Sequence, residues 1–367
     1  MTQARAALLH APDEPLSIED VEINRIEADE IVVRVAGVGV CHTDISGHSG
    51  VVPLPYPSVL GHEGSGTVIE VGVDVIDIAV GDRVVVSFAS CGECTFCLSG
   101  HPAYCELFAA LNYFGCRLDG STTLRQGDEE VHGSFFGQSS FATHVVTAAR
   151  NAVRVGDDVP LEIAGPLGCG IQTGAGTVFN VLHLQPASTL AVFGLGTVGL
   201  SAVMAAAAVG CRIILAVDVN PERLALAMSL GATHIIDASA SDDVVWAALE
   251  VEPVGFDASI DAVGFGSVVR QAVEVLRSPG TCATLGLQGL ENDITINQGH
   301  LLIGRTLTGV IEGDANPRVL IPQLLDLWRE GRFPFERLVQ RFAFDDIEAA
   351  MAAARSGAAI KPVLVFE

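Results

Sequence analysis

The chain has 367 residues with 20 basic against 44 acidic side chains, a net charge near −24 that argues against nucleic acid or an anionic membrane surface as partner. Hydrophobic residues make up 49 %, enough to bury the cores of two ordinary domains. No apolar run is long enough to span a bilayer without charge or glycine, and Met1–Ala11 lacks a signal-peptide core, so the expected location is the cytoplasm. There, nine cysteines read as metal ligands and buried thiols rather than a disulfide framework.

Up to about residue 160, short β-like runs such as Glu30–Val35, Gly66–Val71 and Asp82–Ser87 alternate with Gly and Pro, which predicts a compact β-rich domain. Asn112–Gln138 reads as a long polar insertion without a clear period. From about Pro186 the texture changes to strand–helix alternation. Strands are expected at Thr189–Phe193, Arg212–Val217, Ala258–Ile260, Thr281–Leu285 and Thr306–Val310, and helices at Leu200–Val209, Pro221–Leu230 and Ser267–Leu276. Such alternation implies parallel βαβ units in a doubly wound sheet, an α/β fold beside the β-rich domain. Two more helices, Pro317–Arg329 and Asp345–Arg355, and a last strand, Pro362–Phe366, close the chain.

Cys91, Cys94, Cys97 and Cys105 stand as Cys-x2-Cys-x2-Cys-x7-Cys. Four thiolates on one short loop close a tetrahedral zinc sphere and leave no reactive position. An iron–sulfur cluster takes four cysteines too, but the rest of the chain offers no electron-transfer partner, so structural zinc is the preferred reading. Elsewhere Cys41 lies in Gly-Val-Cys-His-Thr-Asp, His62 in Gly-His-Glu-Gly and Cys169 in Gly-Pro-Leu-Gly-Cys-Gly. Taken singly, each has a bland reading as a core residue; together, two thiolates and one imidazole form a zinc site with an open fourth position.

Gly194-Leu-Gly-Thr-Val-Gly199 follows a strand and opens a helix, the context in which a Gly-x-Gly-x-x-Gly turn binds dinucleotide phosphate. Gly194 makes the turn, Gly196 lets pyrophosphate approach, and Gly199 packs helix on strand. The helix N-terminus offers free N–H groups to the phosphates. Asp218 ends the next strand, nineteen residues beyond Gly199. A carboxylate there accepts from both ribose hydroxyls of NAD and repels the extra phosphate of NADP, so NAD is the expected cofactor.

The order of Gly-Val-Cys-His-Thr-Asp, Gly-His-Glu, four-cysteine loop, Cys169 and dinucleotide turn resembles the zinc-containing medium-chain alcohol dehydrogenases over nearly the whole chain. The resemblance implies a GroES-like zinc domain, 1–170 and 312–367, with a Rossmann domain, 171–311, inserted in it. It implies Cys41, His62 and Cys169 as ligands of a catalytic zinc, the set such enzymes use, and two zinc ions per chain. Glu63 becomes a carboxylate able to approach the metal, Thr43 the hydroxyl that takes the proton of the alcohol, and Asp44 the group orienting His62. His42, Arg223 and Lys361, the only lysine, match positions that contact the cofactor. A homodimer or homotetramer is implied, with the edge near Leu301–Val310 as the contact.

Many relatives carry a His three residues after the Thr to pass the proton outward; here that residue is Ser46, and His48 reads as a solvated loop residue. The resemblance places Val52, Ser87, Phe88, Phe135, Phe136, Leu287 and Ile311 along the substrate channel, an apolar set suited to a ring or branched chain. Phe135–Phe141 also reads as an ordinary buried strand edge. Three runs, Phe135–Thr143, Gly165–Gly174 and Gly331–Phe335, look most like aryl-alcohol and terpenol dehydrogenases, whose substrates are benzylic or allylic primary alcohols. The rivals are a thiol-dependent formaldehyde dehydrogenase, a polyol dehydrogenase, and a zinc-poor quinone reductase relative or crystallin-type binding protein. Cys116, Cys211 and Cys282 carry no assigned role.

Overall fold

Val- and Ile-rich runs punctuated by Gly give the first part of the chain its sheets. In the computed structural model, which describes residues 2–289 and 291–366, the chain divides into two units. The first comprises Met1–Gly170, Asn316–Gln323 and Glu336–Glu367, and the second Ile171–Ala315 and Leu324–Phe335.

The first unit is built on the strand Glu30–Gly39, paired antiparallel with Gly64–Val71, His144–Ala148 and Lys361–Val365 in a seven-stranded sheet. A second, five-stranded sheet holds Gln3–Leu9 and Ser17–Ile23. The register that matters for the site is Val38 opposite Gly64. Because the two strands run in opposite directions, the chain leaving one at Val40–Cys41 lies beside the chain entering the other at His62–Glu63, and Gly39 N–H donates to the Glu63 carbonyl at 3.1 Å. Gly39 is required by this approach: a Cβ there would stand 1.9 Å from a Glu63 carboxylate oxygen.

The second unit is a six-stranded parallel sheet, in the order His234–Asp237, Ile213–Asp218, Thr189–Phe193, Phe256–Asp261, Leu276–Thr284, Arg305–Gly309. Chain order reverses between Thr189–Phe193 and Phe256–Asp261, the switch point at which such sheets bind ligands. Thr189–Phe193 and Ile213–Asp218 are buried throughout, as strands covered on both faces must be. The helix Thr197–Val209 is apolar nearly all round and largely buried; Gly210 at φ +89° ends it in the left-handed conformation. Phe193, Leu215, Phe256, Val273 and Leu276 lie in the core of this unit.

The fold class is the expected α/β one. The differences are local. The helix after the Gly-rich turn starts at Thr197 rather than Leu200, since Thr197-Val-Gly carries no apolar period of its own. The strand His234–Asp237 and helix Val244–Val251 were not anticipated: the strand is an edge with His234 and Ile235 exposed. The supposedly featureless insertion contains a hairpin of two three-residue strands, Leu124–Gln126 and Glu129–Val131, too short to show a period. Residues 312–315 and 324–335, expected with the first domain, group with the second, where buried Leu324, Leu325, Phe333 and Phe335 explain the placement. No helix of the described residues is long and apolar enough to cross a membrane.

Gly199 has no room for a side chain: a Cβ would meet the Gly194 carbonyl oxygen at 1.8 Å. Gly199→Ala is expected to cost about 1–3 kcal/mol of stability by overpacking, read as a lower thermal midpoint. An unchanged midpoint would mean that the turn can yield.

Candidate active site

Asp44 lies in the first turn of the short helix His42–His48 and is fully buried. Its Oδ2 accepts from the Cys41 N–H at 2.8 Å, and its Oδ1 from the Gly61 N–H at 3.0 Å. The same Oδ1 is 2.9 Å from His62 Nδ1. With the ring's Nδ1–H pointed at Asp44, the lone pair of Nε2 faces the other way. Nε2 is buried and has no hydrogen-bond partner, which an imidazole tolerates when a metal takes that lone pair. The ligand atoms of Cys41, His62, Glu63 and Cys169 all lie within 4.8 Å of one another. Two sulfurs and one ring nitrogen suit zinc with an open fourth position.

Charge is concentrated here. The Cys169 thiol, helped by Lys361 and His62, holds the Cys41 thiol well below its ordinary range against the opposing effect of burial. Burial disfavours a charged His62, but Asp44 and then Cys41 outweigh it and hold the ring well above its usual value. A dication at the cluster replaces the proton on such a ring. Glu63 is pushed up by burial, an effect that Lys361 offsets in part. Its Oε1 accepts from Lys361 Nζ at 2.9 Å and from the Gly170 N–H at 3.1 Å. Thr43 stands at the rim of the cluster, its hydroxyl 3.9 Å from Cys41 Sγ.

The four-cysteine loop forms a second cluster. Cys91, Cys94, Cys97 and Cys105 lie within 4.8 Å of one another, with Sγ–Sγ distances of 3.8 Å for Cys91–Cys97 and 4.0 Å for Cys94–Cys105. Four sulfurs at about 2.3 Å from one zinc stand about 3.8 Å apart, so the loop fits a closed tetrahedral site. Amide N–H groups of Cys91, Cys94 and Leu107 point at these sulfurs at 3.3–3.4 Å, as suits thiolates.

In the second unit Gly194 sits at φ +88° and Gly196 caps the helix Thr197–Val209. Asp218 ends its strand with Oδ2 accepting from the Leu195 N–H at 2.6 Å and Oδ1 from the Asn220 N–H at 2.9 Å. Its carboxylate is thus fixed to the Gly-rich turn.

Comparison with known proteins bears on this geometry. Residues 27–157 match the alcohol dehydrogenase GroES-like domain and residues 197–329 the zinc-binding dehydrogenase domain. A geraniol dehydrogenase of Castellaniella defragrans is 47 % identical over 99 % of this chain and 98 % of its own. The chain belongs to the zinc-containing medium-chain alcohol dehydrogenases. The crystal structure of benzyl alcohol dehydrogenase from Acinetobacter calcoaceticus is 39 % identical, with a TM-score of 0.96 over 100 % of both chains. S-(hydroxymethyl)glutathione dehydrogenases of Escherichia coli are 32 % identical over 99 % of this chain and 100 % of their own.

Within this alcohol dehydrogenase, the other expected site residues are placed as follows. Lys361, expected against the cofactor, is 2 % exposed and donates to Glu63 and to the Val40 carbonyl at 3.0 Å; a buried ammonium needs a buried anion, and Glu63 supplies it. His48, expected in solvent, is buried at the end of its helix with Nδ1 3.3 Å from Arg355 Nη2. His42 is exposed and Arg223 half-buried on the helix Pro221–Ser229. Phe135 and Phe136 are buried against His62. The Phe136 ring stacks on the His62 imidazole at 4.5 Å, and Phe135 meets it edge-on at 5.6 Å. Ser87 is wholly buried, with its hydroxyl donating to the Gly168 carbonyl at 2.6 Å. Phe88 is buried beside Phe108, and Val52 is half-buried. In the second unit Leu287 is exposed and Ile311 half-buried.

Gln138 and Phe136 were not recognised as partners of His62. The run Phe-Phe-Gly-Gln-Ser-Ser gives a weak signal, a polar amide between glycine and two serines in an apolar stretch, and no local period shows what it meets 76 residues away. Asp44→Asn is expected to weaken metal binding at the Cys41–His62–Cys169 cluster by about 10–100-fold, measured by chelator competition. Wild-type affinity in the variant would show that the carboxylate does not orient His62.

Proposed function

We propose that this enzyme oxidises a hydrophobic primary alcohol of the allylic or benzylic kind to its aldehyde, with NAD as hydride acceptor. The observation that carries the reading is the Cys41–His62–Cys169 cluster, with His62 and Cys169 buried and Cys41 half-buried, whose imidazole is oriented by Asp44 and keeps its Nε2 unpartnered. Zinc at that cluster supplies Lewis acidity that lets an alcohol hydroxyl ionise near neutral pH, and the nicotinamide supplies the hydride acceptor. Thr43, at the rim of the cluster, takes the hydroxyl proton while passing its own on toward solvent, so that no charge stays on the threonine. Glu63, paired with Lys361, offers a carboxylate within reach of the ligand atoms. Lys361 thereby holds Glu63 in place.

Gly194, Gly196 and Gly199 shape the turn for the pyrophosphate, with the following helix N-terminus supplying N–H groups. Asp218 favours NAD, since a fixed carboxylate repels a 2′-phosphate, and Arg223 and His42 complete the proposed cofactor contacts. The same turn holds Asp218 through the Leu195 N–H, so recognition of ribose and pyrophosphate is coupled.

Support for an allylic or benzylic substrate comes from the geraniol and benzyl alcohol dehydrogenase relatives and from the apolar side chains Phe88, Phe135 and Phe136. Conjugation of the product aldehyde favours oxidation of such alcohols. A homodimer, or a tetramer built from two of them, is proposed through the edge strand Arg305–Gly309 and the exposed Leu301, Leu302 and Ile303 before it.

On a panel of alcohols, kcat/KM for geraniol or benzyl alcohol is expected to exceed that for ethanol by about 10–100-fold. A preference for ethanol, or for formaldehyde with glutathione, would overturn the substrate reading. Asp218→Gly is expected to shift the NADP-to-NAD ratio of kcat/KM upward by about tenfold or more, the equivalent of about 1.4 kcal/mol. An unaltered ratio would remove Asp218 as the discriminating residue.

A further inference from the structure

Gln138 is 1 % exposed and uses the whole hydrogen-bonding capacity of its amide. Nε2 donates to the His62 carbonyl at 3.0 Å and to the Ser87 carbonyl at 3.3 Å. Oε1 accepts from the Gly64 N–H and from the Ser140 hydroxyl, both at 3.0 Å. Carbonyls can only accept and an amide N–H can only donate, so the partners fix the orientation of this amide. The His62 carbonyl and Gly64 N–H bracket Glu63, and one side chain thus clamps the backbone on both sides of it. Ser87 extends the connection: its hydroxyl donates to the carbonyl of Gly168, the residue before Cys169.

The segment bearing Gln138 is held in a costly shape. Phe136, Gly137 and Ser139 have φ of 52°, 64° and 50°, and left-handed non-glycine residues persist only where their surroundings over-determine them. The surroundings here are residues 59–61. Ser139 Oγ donates to the Val59 carbonyl at 2.6 Å, while Phe141 N–H and Ser140 N–H donate to the Leu60 and Gly61 carbonyls at 3.0 and 2.8 Å. Within that frame Phe136 covers the imidazole while Gln138 grips the His62 backbone.

We propose that Gln138 is a positioning residue of the metal centre: its amide sets the place of His62 directly and that of Cys169 through Ser87, holding the ligands ready for the ion. Asp44 orients the ring of His62; Gln138 anchors the main chain from which that ring extends. The inference rests on reading the Cys41–His62–Cys169 cluster as a metal site. Removing the amide leaves the His62 and Ser87 carbonyls and the Gly64 N–H buried without this partner, and the ligand backbone loses its tether.

The test is metal release from zinc-loaded wild-type protein and Gln138→Met, which keeps the side-chain volume without the amide, under challenge by a chromophoric chelator. One of the two zinc ions is expected to leave about 10–100-fold faster in the variant, with the ion of the four-cysteine loop released at the wild-type rate. Cobalt at the faster site should show shifted ligand-field bands. Ser87→Ala cuts the link to Gly168 and gives a smaller acceleration; combined with Gln138→Met it adds little, as expected for one connected chain. Should Gln138→Met fail to fold, Ser140→Ala, which removes one bond from Oε1, carries the test with a smaller acceleration at the same ion. Unchanged release in the folded variants, or equal acceleration of both ions, overturns the proposal. If wild-type protein holds only the ion of the four-cysteine loop, the metal-centre reading fails and the proposal fails with it.

Discussion

The buried carboxylate of Asp44 is the constraint from which the site follows. It binds the Cys41 N–H, the Gly61 N–H and His62 Nδ1 together, joining the end of one strand to the start of its antiparallel neighbour. A carboxylate removed from water is stable only when its lone pairs are satisfied, and these three donors satisfy it. The orientation of His62 is thus a consequence of how Asp44 is buried: Nδ1 is committed, and Nε2 is left facing two thiols. Glu63 and Lys361 repeat the pattern one residue along, as a second buried charge pair with backbone donors and acceptors around it.

The two units divide the chemistry. The first is a β-rich scaffold whose glycines let main chains and carboxylates pass at distances no Cβ permits: Gly39 against Glu63, Gly165 against the Glu63 carbonyl, Gly168 against that of Val86. Each lies within a few residues of a ligand or of Glu63, so close packing and site construction are the same event. The second is a parallel sheet with its switch point at the Gly-rich turn, where Asp218 braces the turn and presents a fixed negative charge. The four-cysteine loop belongs to the first unit and offers four thiols to one ion, which would leave no position open for reaction.

Much of this was legible in the sequence because it is written locally. The spacing of the four cysteines, the Gly-rich turn between strand and helix, and Asp218 at the next strand end are all short-range patterns. The grouping of Cys41, His62 and Cys169 came from resemblance, since no period connects residues so far apart, and the structure brings them together. What the sequence did not show depends on long-range burial. Lys361 looks like a free cation in an acidic chain until strand pairing places it on Glu63. His48 looks solvated until its helix end is buried beside Arg355. Nor does the sequence show that Ser87 ties the Gly168 backbone or that Phe135 and Phe136 pack on the imidazole. The hairpin within 112–138 and the edge strand at His234–Asp237 were too short to carry a period at all.

The central claim is that the fold presents His62 Nε2, Cys41 Sγ and Cys169 Sγ to one metal ion. Anomalous scattering at the zinc edge from crystals of the protein tests it most directly. The account predicts two peaks per chain, one within the four-cysteine loop and one bonded to those three atoms, with His62 Nδ1 still on Asp44. A single peak in the four-cysteine loop, or a second ion bound through Nδ1, would contradict it.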